Sequence, residues 1–432
     1  MPTASKKVIN GWAMYDWANS SYSLVITSTI FPIYYTSVAP EHIHFLGHAF
    51  SRAAVASYSI SLSFLIIAFL NPILSSIADY KGNKKKFMQF FCYVGSLSCV
   101  CLVFMDSTHV VLGVLLSILA SIGFSGSLVF YNAYLPEIAA EEDQDRVSAK
   151  GFALGYVGSV ILLILCLAVI MCNDSLHWGL GAWPARLSFA ATGLWWAGFA
   201  QLTFNVLPPS KPSEQHPEHS ILTNGFHELA KVWRQFVHYP TIKRYLTSFF
   251  FYNMGVMTVM YMATYFAADE LKLPSADLIR CILVIQLVAI GGAYLFSLLS
   301  ARTGNIFVLG VNIVIWIGIC VMAYFTHTAM QFYGVAFTVG LVMGGIQSMS
   351  RSTYSKLLPE TNDTASYFSF YDVCDKIGTV IGTSTFGLVA DSMGGMRNSV
   401  LALMAYFIIG FVLLLFVRMR PQPSVAHAPA HH

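Results

Sequence analysis

Charge is what this 432-residue chain has least of. Asp, Glu, Lys and Arg make up only 10% of it, against about a quarter in soluble globular proteins, which excludes an ordinary soluble globule. Enzyme signatures are missing as well. The sequence has no nucleophile elbow, no His-Glu-x-x-His and no glycine-rich phosphate loop, so the chain is read as neither an enzyme nor a nucleotide-driven pump. Its eight cysteines include no Cys-x-x-Cys and no His/Cys ligand spacing. They fall in apolar stretches as small packing residues, and no metal or cofactor is expected. The opening MPTASKKVIN is too short and polar for a cleaved signal peptide, so the first apolar stretch is expected to be retained.

What is abundant is apolar residues: 56% of the chain, with mean hydropathy +0.63. Many stretches reach the roughly 20 residues a helix needs to cross about 30 Å of hydrocarbon. They place spans near 11–38, 52–78, 87–105, 109–135, 147–172 and 183–206, then 241–266, 277–300, 306–325, 330–358, 363–390 and 396–418. The expected fold class is therefore an all-α membrane protein of twelve transmembrane helices. With the N-terminus inside, 18 of the 24 basic residues fall on the cytoplasmic side, five outside and one, Lys376, within a span. The positive-inside bias thus expects both termini in the cytoplasm. The net charge of +3 reflects this topology and points to no nucleic acid.

The chain also repeats itself. Tyr131 opens YNAYLPE and Tyr354 opens YSKLLPE, 223 residues later, and Ala78 of ADYKGN answers Ala301 of ARTGN at the same offset. Such a self-match predicts two pseudo-symmetric six-helix bundles with a site between them. The long polar break at 207–240 separates an N-terminal lobe, 1–206, from a C-terminal lobe, 241–418. The break starts with PPSKPSEQHPEHS, which suits a linker. It continues with Leu222, Phe226, Leu229, Val232, Trp233, Phe236 and Val237 at helical spacing, an amphipathic helix lying on the membrane surface or packed under the bundle. Residues 419–432 are expected to be a disordered cytoplasmic tail.

Polar residues at membrane depth carry the functional reading. Asp16, Asn19, Ser23 and Thr27 follow at i, i+3, i+7 and i+11, one stripe of the first span. Asp372, then Asp375 or Lys376, Thr379 and Thr383 repeat that spacing in the eleventh, and Gln347, Arg351 and Tyr354 share a face of the tenth. Tyr15 and Asp16 of the first span are echoed by Tyr252 and Asn253 of the seventh, and Asn132 follows Tyr131 in the fourth. Charges this deep must face protein or a wet cavity. Adjacent Asp375 and Lys376 project about 100° apart, so each is expected to need a partner elsewhere, and Asp16 is expected to find Arg351 or Lys376 across the cavity in one connected network. Three acids face two cations. The acid left over either holds a proton or is matched by a cation from the solute. Glu137 and Glu360, beside helix-ending prolines, are read as interfacial, and Pro32 is expected to kink the first span.

NPILSSIADYKGNKKK (71–86) resembles the signature loop of the major facilitator superfamily, G-x-x-x-D-x-x-G-[RK]-[RK], with Ser75 in place of the first glycine and Asn83 and Lys84 where two basics often stand. Asp79 near the end of a helix is disfavoured by the dipole and is expected to be held by a cation or by a neighbouring helix N-terminus. Asp79, Gly82, Lys84 and Lys85 are thus gating candidates. YDWANSSYSLVITSTIFPIYY (15–35), YNAYLPEIAAEEDQDRVSAKGFALGYVGS (131–159) and GGIQSMSRSTYSKLLPE with FSFYDVCDKIGTVIGTSTFG (344–387) resemble the vacuolar amino-acid effluxer family linked to autophagy in fungi, and its compact bacterial relatives. The resemblance implies the major facilitator fold and secondary transport of an amino-acid-like solute. The partners it implies are that small molecule, protons and the lipid bilayer of a bacterial inner membrane.

Overall fold

The computed structural model describes residues 3–419, except 46–47, 178, 211, 213–229, 231–232, 235–238 and 394. The tail, and Leu222, Phe226, Leu229, Val232, Phe236 and Val237 of the expected amphipathic helix, lie outside the described residues. The described chain is almost entirely helical, with one short antiparallel hairpin, His42–Phe45 with His48–Ser51.

The first span, α1, runs Lys6–Ser21, widens into a π-helical stretch, Tyr22–Thr29, and resumes as Ile30–Val38. Pro32 was expected to kink it, and the distortion sits just upstream, where the ring leaves the Ser28 carbonyl without its usual donor. The remaining long helices are α2 (Arg52–Lys81), α3 (Lys84–Cys101), α4 (Val110–Ala133), α5 (Gln144–Leu176), α6 (Trp183–Phe204), α7 (Pro240–Asp269), α8 (Ser275–Thr303), α9 (Asn305–Tyr324), α10 (Ala329–Leu357), α11 (Thr364–Met393) and α12 (Met396–Leu414). Eight helices combine the length and apolarity of a membrane span among the described residues. The other four, α1, α6, α7 and α11, are long enough but fall short of that apolarity, and α1, α7 and α11 carry the site's polar groups.

Helices α1 to α6 pack on one another, as do α7 to α12, and the two sets meet where α5 touches α8 and α10 and where α11 touches α2 and α4. The repeated tyrosines take corresponding places. Tyr131, near the end of α4, stacks on Trp12 of α1 at 4.4 Å, and Tyr354, near the end of α10, lies 6.3 Å from Tyr245 of α7. Both are fully buried. The Ala4 amide donates to the Ile138 carbonyl, and Arg244 reaches the Phe416 carbonyl. Since the end of α2 also meets the start of α11, where the Ser366 amide donates to Asp79, both ends of the helical region lie on one face, called here the terminal face.

Gly344 allows close helix contact: a Cβ there would strike the Ala289 backbone of α8. Gly378 differs, since a Cβ would meet only ordinary neighbours beyond 3.4 Å. Gly344→Ala should lower stability by about 1–3 kcal/mol, while Gly378→Ala should stay within about 0.5 kcal/mol. Thermal unfolding in detergent checks both.

Candidate functional site

Two buried polar clusters stand at membrane depth. At ~1.5 Å per residue, Asp16 lies roughly 15 Å along α1 from its start. Its Oδ2 accepts from the Tyr131 hydroxyl at 2.8 Å and from Arg351 Nη1 and Nη2, each at 3.2 Å. Arg351 comes from α10, so this ion pair joins the two helix sets. Its other donors go to Ser148 Oγ (3.0 Å), the Ser148 carbonyl (2.9 Å) and Asn132 Oδ1 (3.3 Å). All five guanidinium N–H groups are thereby used. Trp12, Tyr131 and Phe152 cover the cation, with Phe152 closest at 4.1 Å to the ring centre. Gly151 makes room, since a Cβ there would collide with Asp16 and Arg351.

The second cluster is on α11. Lys376 Nζ lies 2.7 Å from Asp375 Oδ2 and 3.7 Å from Asp372 Oδ1. Asp375 Oδ1 accepts from Asn253 Nδ2 of α7 at 2.7 Å, and Asp372 Oδ2 accepts from Asn71 Nδ2 of α2 at 2.7 Å. Two sequence-based expectations are corrected here. Asp375 and Lys376 were expected to need separate partners, yet they pair directly, because the flexible lysine stem carries its ammonium back across the 100° between the Cα vectors. A single network was also expected. Among the described residues no hydrogen bond joins the two clusters, and Asp16 takes Arg351, leaving Lys376 to α11.

The remaining candidates separate. Gln347 Oε1 accepts from the Tyr156 hydroxyl of α5 at 2.6 Å, a further link between the helix sets. Asn19 is buried and its Nδ2 has no acceptor among the described residues. Tyr15 and Tyr252 turn into their own bundles. Tyr15 packs on Phe204 and Tyr131, and Tyr252 meets Ser350 Oγ at 2.8 Å. Sequence reasoning missed Asn71 and Ser148, whose residue types alone carry no signal.

The gating candidates assemble at the terminal face. Asp79, at the end of α2, accepts from the Ala365 and Ser366 amides at 3.3 and 2.7 Å and from Ser366 Oγ at 2.7 Å. It thus caps the N-terminus of α11 in the other helix set, where an anion suits the dipole. Fully buried Lys84 lies 3.3 Å from Asp79, pairs with Glu137, and donates to Thr364 Oγ1 at 2.7 Å and the Asn362 carbonyl at 3.1 Å. Glu137, read as interfacial, is part of this latch. Gly82 ends α2 at φ +62°, against the backbone of Ser210 and Pro212, and Lys85 holds the Leu207 carbonyl at 3.2 Å. A second latch had no sequence signal. Asp145 at the start of α5 accepts from Lys356 (2.8 Å), Ser300 Oγ (2.7 Å) and Asn305 Nδ2 (2.8 Å). Among the described residues, every hydrogen bond between α1–α6 and α7–α12 lies from this face to mid-depth, so the molecule is sealed on the terminal side.

With this geometry in view, the comparisons with known proteins are decisive. The family model described as "Vacuole effluxer Atg22 like" matches residues 4–423. The chain belongs to that family. It is 36% identical over 424 residues to the "Uncharacterized MFS-type transporter YxiO" of Bacillus subtilis (strain 168), covering 96% of each chain. It is 24% identical to "Autophagy-related protein 22" of Yarrowia lipolytica over 463 residues, covering 87% of this chain and 77% of that one. Among solved structures, the E. coli fucose:proton symporter FucP aligns with TM-score 0.68 at 15% identity over 96% of this chain and 98% of that one. A bacterial homologue of the iron transporter ferroportin, in its outward-facing state, aligns at 0.67, 14%, 95% and 98%. The fold is that of the major facilitator superfamily, and the chain is a multi-pass membrane transporter of that type.

Two substitutions test the site's energetics. Lys376→Met leaves two carboxylates without a cation and should cost about 3–5 kcal/mol, read as a fall in melting temperature. Asp79→Asn should loosen the seal. Ser348 reports on it, because its buried Oγ bonds only its own helix while its carbonyl accepts from Ser148 across the interface. A cysteine at Ser348 should react several-fold faster with a thiol reagent in the Asp79→Asn background. Unchanged labelling would make the 71–86 loop an anchor only.

Proposed function

We propose that the protein is a secondary transporter that moves a small zwitterionic, amino-acid-like solute by alternating access. Residues 1–206 and 241–418 rock as two lobes joined by 207–240. The terminal face with its tail, 419–432, is cytoplasmic, and the membrane is a bacterial inner membrane. The family likeness supports the solute class, and a sequence without a glycine-rich phosphate loop supports gradient-driven rather than nucleotide-driven movement.

One observation carries this reading: the buried Asp16–Arg351 pair, 3.2 Å apart, has its acid in one helix set and its cation in the other. A protein that only held the fold would be as stable, or more so, with apolar residues there. A moving one needs charges whose partners change. The same logic gives the terminal latches their role, since Asp79 and Lys84 on the start of α11, and Asp145 on Lys356, close the cytoplasmic side in this state and let go when it opens.

The test is reconstitution of the purified protein into liposomes, offered labelled amino acids and small peptides with and without a pH gradient. Uptake above empty liposomes is expected for at least one amino acid. Asp16→Asn and Arg351→Met should each reduce it more than about tenfold, the loss expected when one partner of a buried pair goes. The charge-free double variant should regain melting temperature but not transport. Wild-type protein that moves none of the panel would favour the alternative, a receptor or scaffold that keeps the fold without transport.

A further inference from the structure

The charges at membrane depth divide unevenly. Asp16 and Arg351 form a closed pair, and every N–H of Arg351 is taken. On α11, Asp372 and Asp375 share Lys376, their one cation among the described residues. Lys376 gives its hydrogen bond to Asp375 at 2.7 Å and stands 3.7 Å from Asp372, beyond hydrogen-bond reach. The hydrogen bond that Asp372 receives among the described residues comes from Asn71 Nδ2 at 2.7 Å.

That bond fixes the orientation of the Asn71 amide. With its N–H group on the carboxylate, Asn71 Oδ1 faces away, fully buried and with no hydrogen-bond partner among the described residues. A carboxylate held by one amide N–H, with its cation at 3.7 Å and turned to Asp375, thus belongs to the same contact as a bare amide oxygen, an arrangement that buried polar groups rarely tolerate unless a ligand completes it. The missing partner must be cationic and must bring more than one N–H. An anionic group is unsuited, because it would add negative charge where α11 already has an excess.

We propose that Asn71 Oδ1 and the Asp372 carboxylate form the subsite for the primary ammonium group of the transported solute. This rests on the transporter reading above and assigns the solute's cationic end to α2 and α11. A primary ammonium supplies three N–H donors and one positive charge, enough for both acceptors. The subsite is split between the helix sets: Asn71 belongs to α2 and Asp372 to α11. Bound ammonium favours the state in which these helices touch, and parting of the helices divides the subsite and weakens the hold.

The experiment uses the full-length protein in liposomes. Each amino acid transported by the wild type is compared with its N-acetyl derivative, which lacks the ammonium, and its methyl ester, which keeps it. The N-acetyl compounds should lose at least about tenfold in apparent affinity, and the esters should compete. Asp372→Asn and Asn71→Leu should each raise half-saturation at least about tenfold, as loss of one partner of a buried charged contact does. The exchanged pair, Asn71→Asp with Asp372→Asn, should recover most of that loss, because one carboxylate and one amide still face each other. That rescue separates recognition from a merely structural contact. Equal transport of N-acetyl compounds, or unaltered half-saturation in Asp372→Asn and Asn71→Leu, overturns the subsite while leaving the transporter reading intact. So does an Asp372→Asn variant that loses only its response to the pH gradient, since the carboxylate would then carry the proton. A wild type that moves no amino acid overturns both readings.

Discussion

The structure depends on a guanidinium that cannot be neutralised within its own bundle. Arg351 sits on α10 with its charge buried under Trp12, Tyr131 and Phe152, and the carboxylate that balances it is on α1. A buried charge left alone costs several kcal/mol, so α10 cannot leave the α1–α4–α5 surface unless something replaces Asp16. The surroundings follow from this. Gly151 removes a side chain where the pair must fit, Ser148 offers both its hydroxyl and its carbonyl, and Tyr131 steadies the carboxylate oxygen that Arg351 uses. The repeated tyrosine thus stacks on Trp12 and holds the charged Asp16 in one half, whereas Tyr354 stacks on Tyr245 and Tyr371 and gives its hydroxyl to the Tyr367 carbonyl of the following helix.

The terminal latches answer a different constraint. Asp79 and Asp145 each engage groups of the opposite helix set, but they do so at the membrane edge, where opening would expose them to water. Their separation therefore exchanges protein partners for solvent at modest cost, unlike the pair at mid-depth. The acids are placed differently in the two latches. Asp79 ends α2 and satisfies the first amides of α11 from outside, whereas Asp145 lies in the first turn of α5 itself and draws Lys356, Ser300 and Asn305 toward it. Both arrangements set a negative charge at a helix N-terminus.

Much of this was legible in the sequence. Helical spacing put Asp16 on a polar stripe, and depth alone said that Arg351 and Lys376 needed partners. The signature loop marked Asp79. What failed was any inference requiring the reach of a side chain. Projecting Cα vectors separated Asp375 from Lys376, but four methylenes and free rotation let the ammonium turn back to its neighbour. Glu137 was read as interfacial only, and Asn71 and Ser148 escaped notice for another reason. An amide or hydroxyl in a long apolar helix is common, and its importance arises only when packing sets a charge from a distant segment against it. The Asp145–Lys356 contact spans 211 residues and had no local pattern at all.

The divergence of the repeat accounts for where the negative charge accumulates. Asp16 of α1 and Asn253 of α7 hold matching places in the sequence, yet one accepts from Arg351 and the other donates to Asp375. A second aspartate at 253 would have set three carboxylates against Lys376. The amide instead supplies an N–H, leaving Lys376 to neutralise one neighbour while Asp372 turns to Asn71 across the interface. The first half thus needs a cation from the second to be complete, and the second is left with two acids on one lysine. Two bundles built on one plan become complementary through a single exchange of carboxylate for amide, and the acid that Lys376 does not hydrogen-bond falls where α2 meets α11, on the surface between the two helix sets.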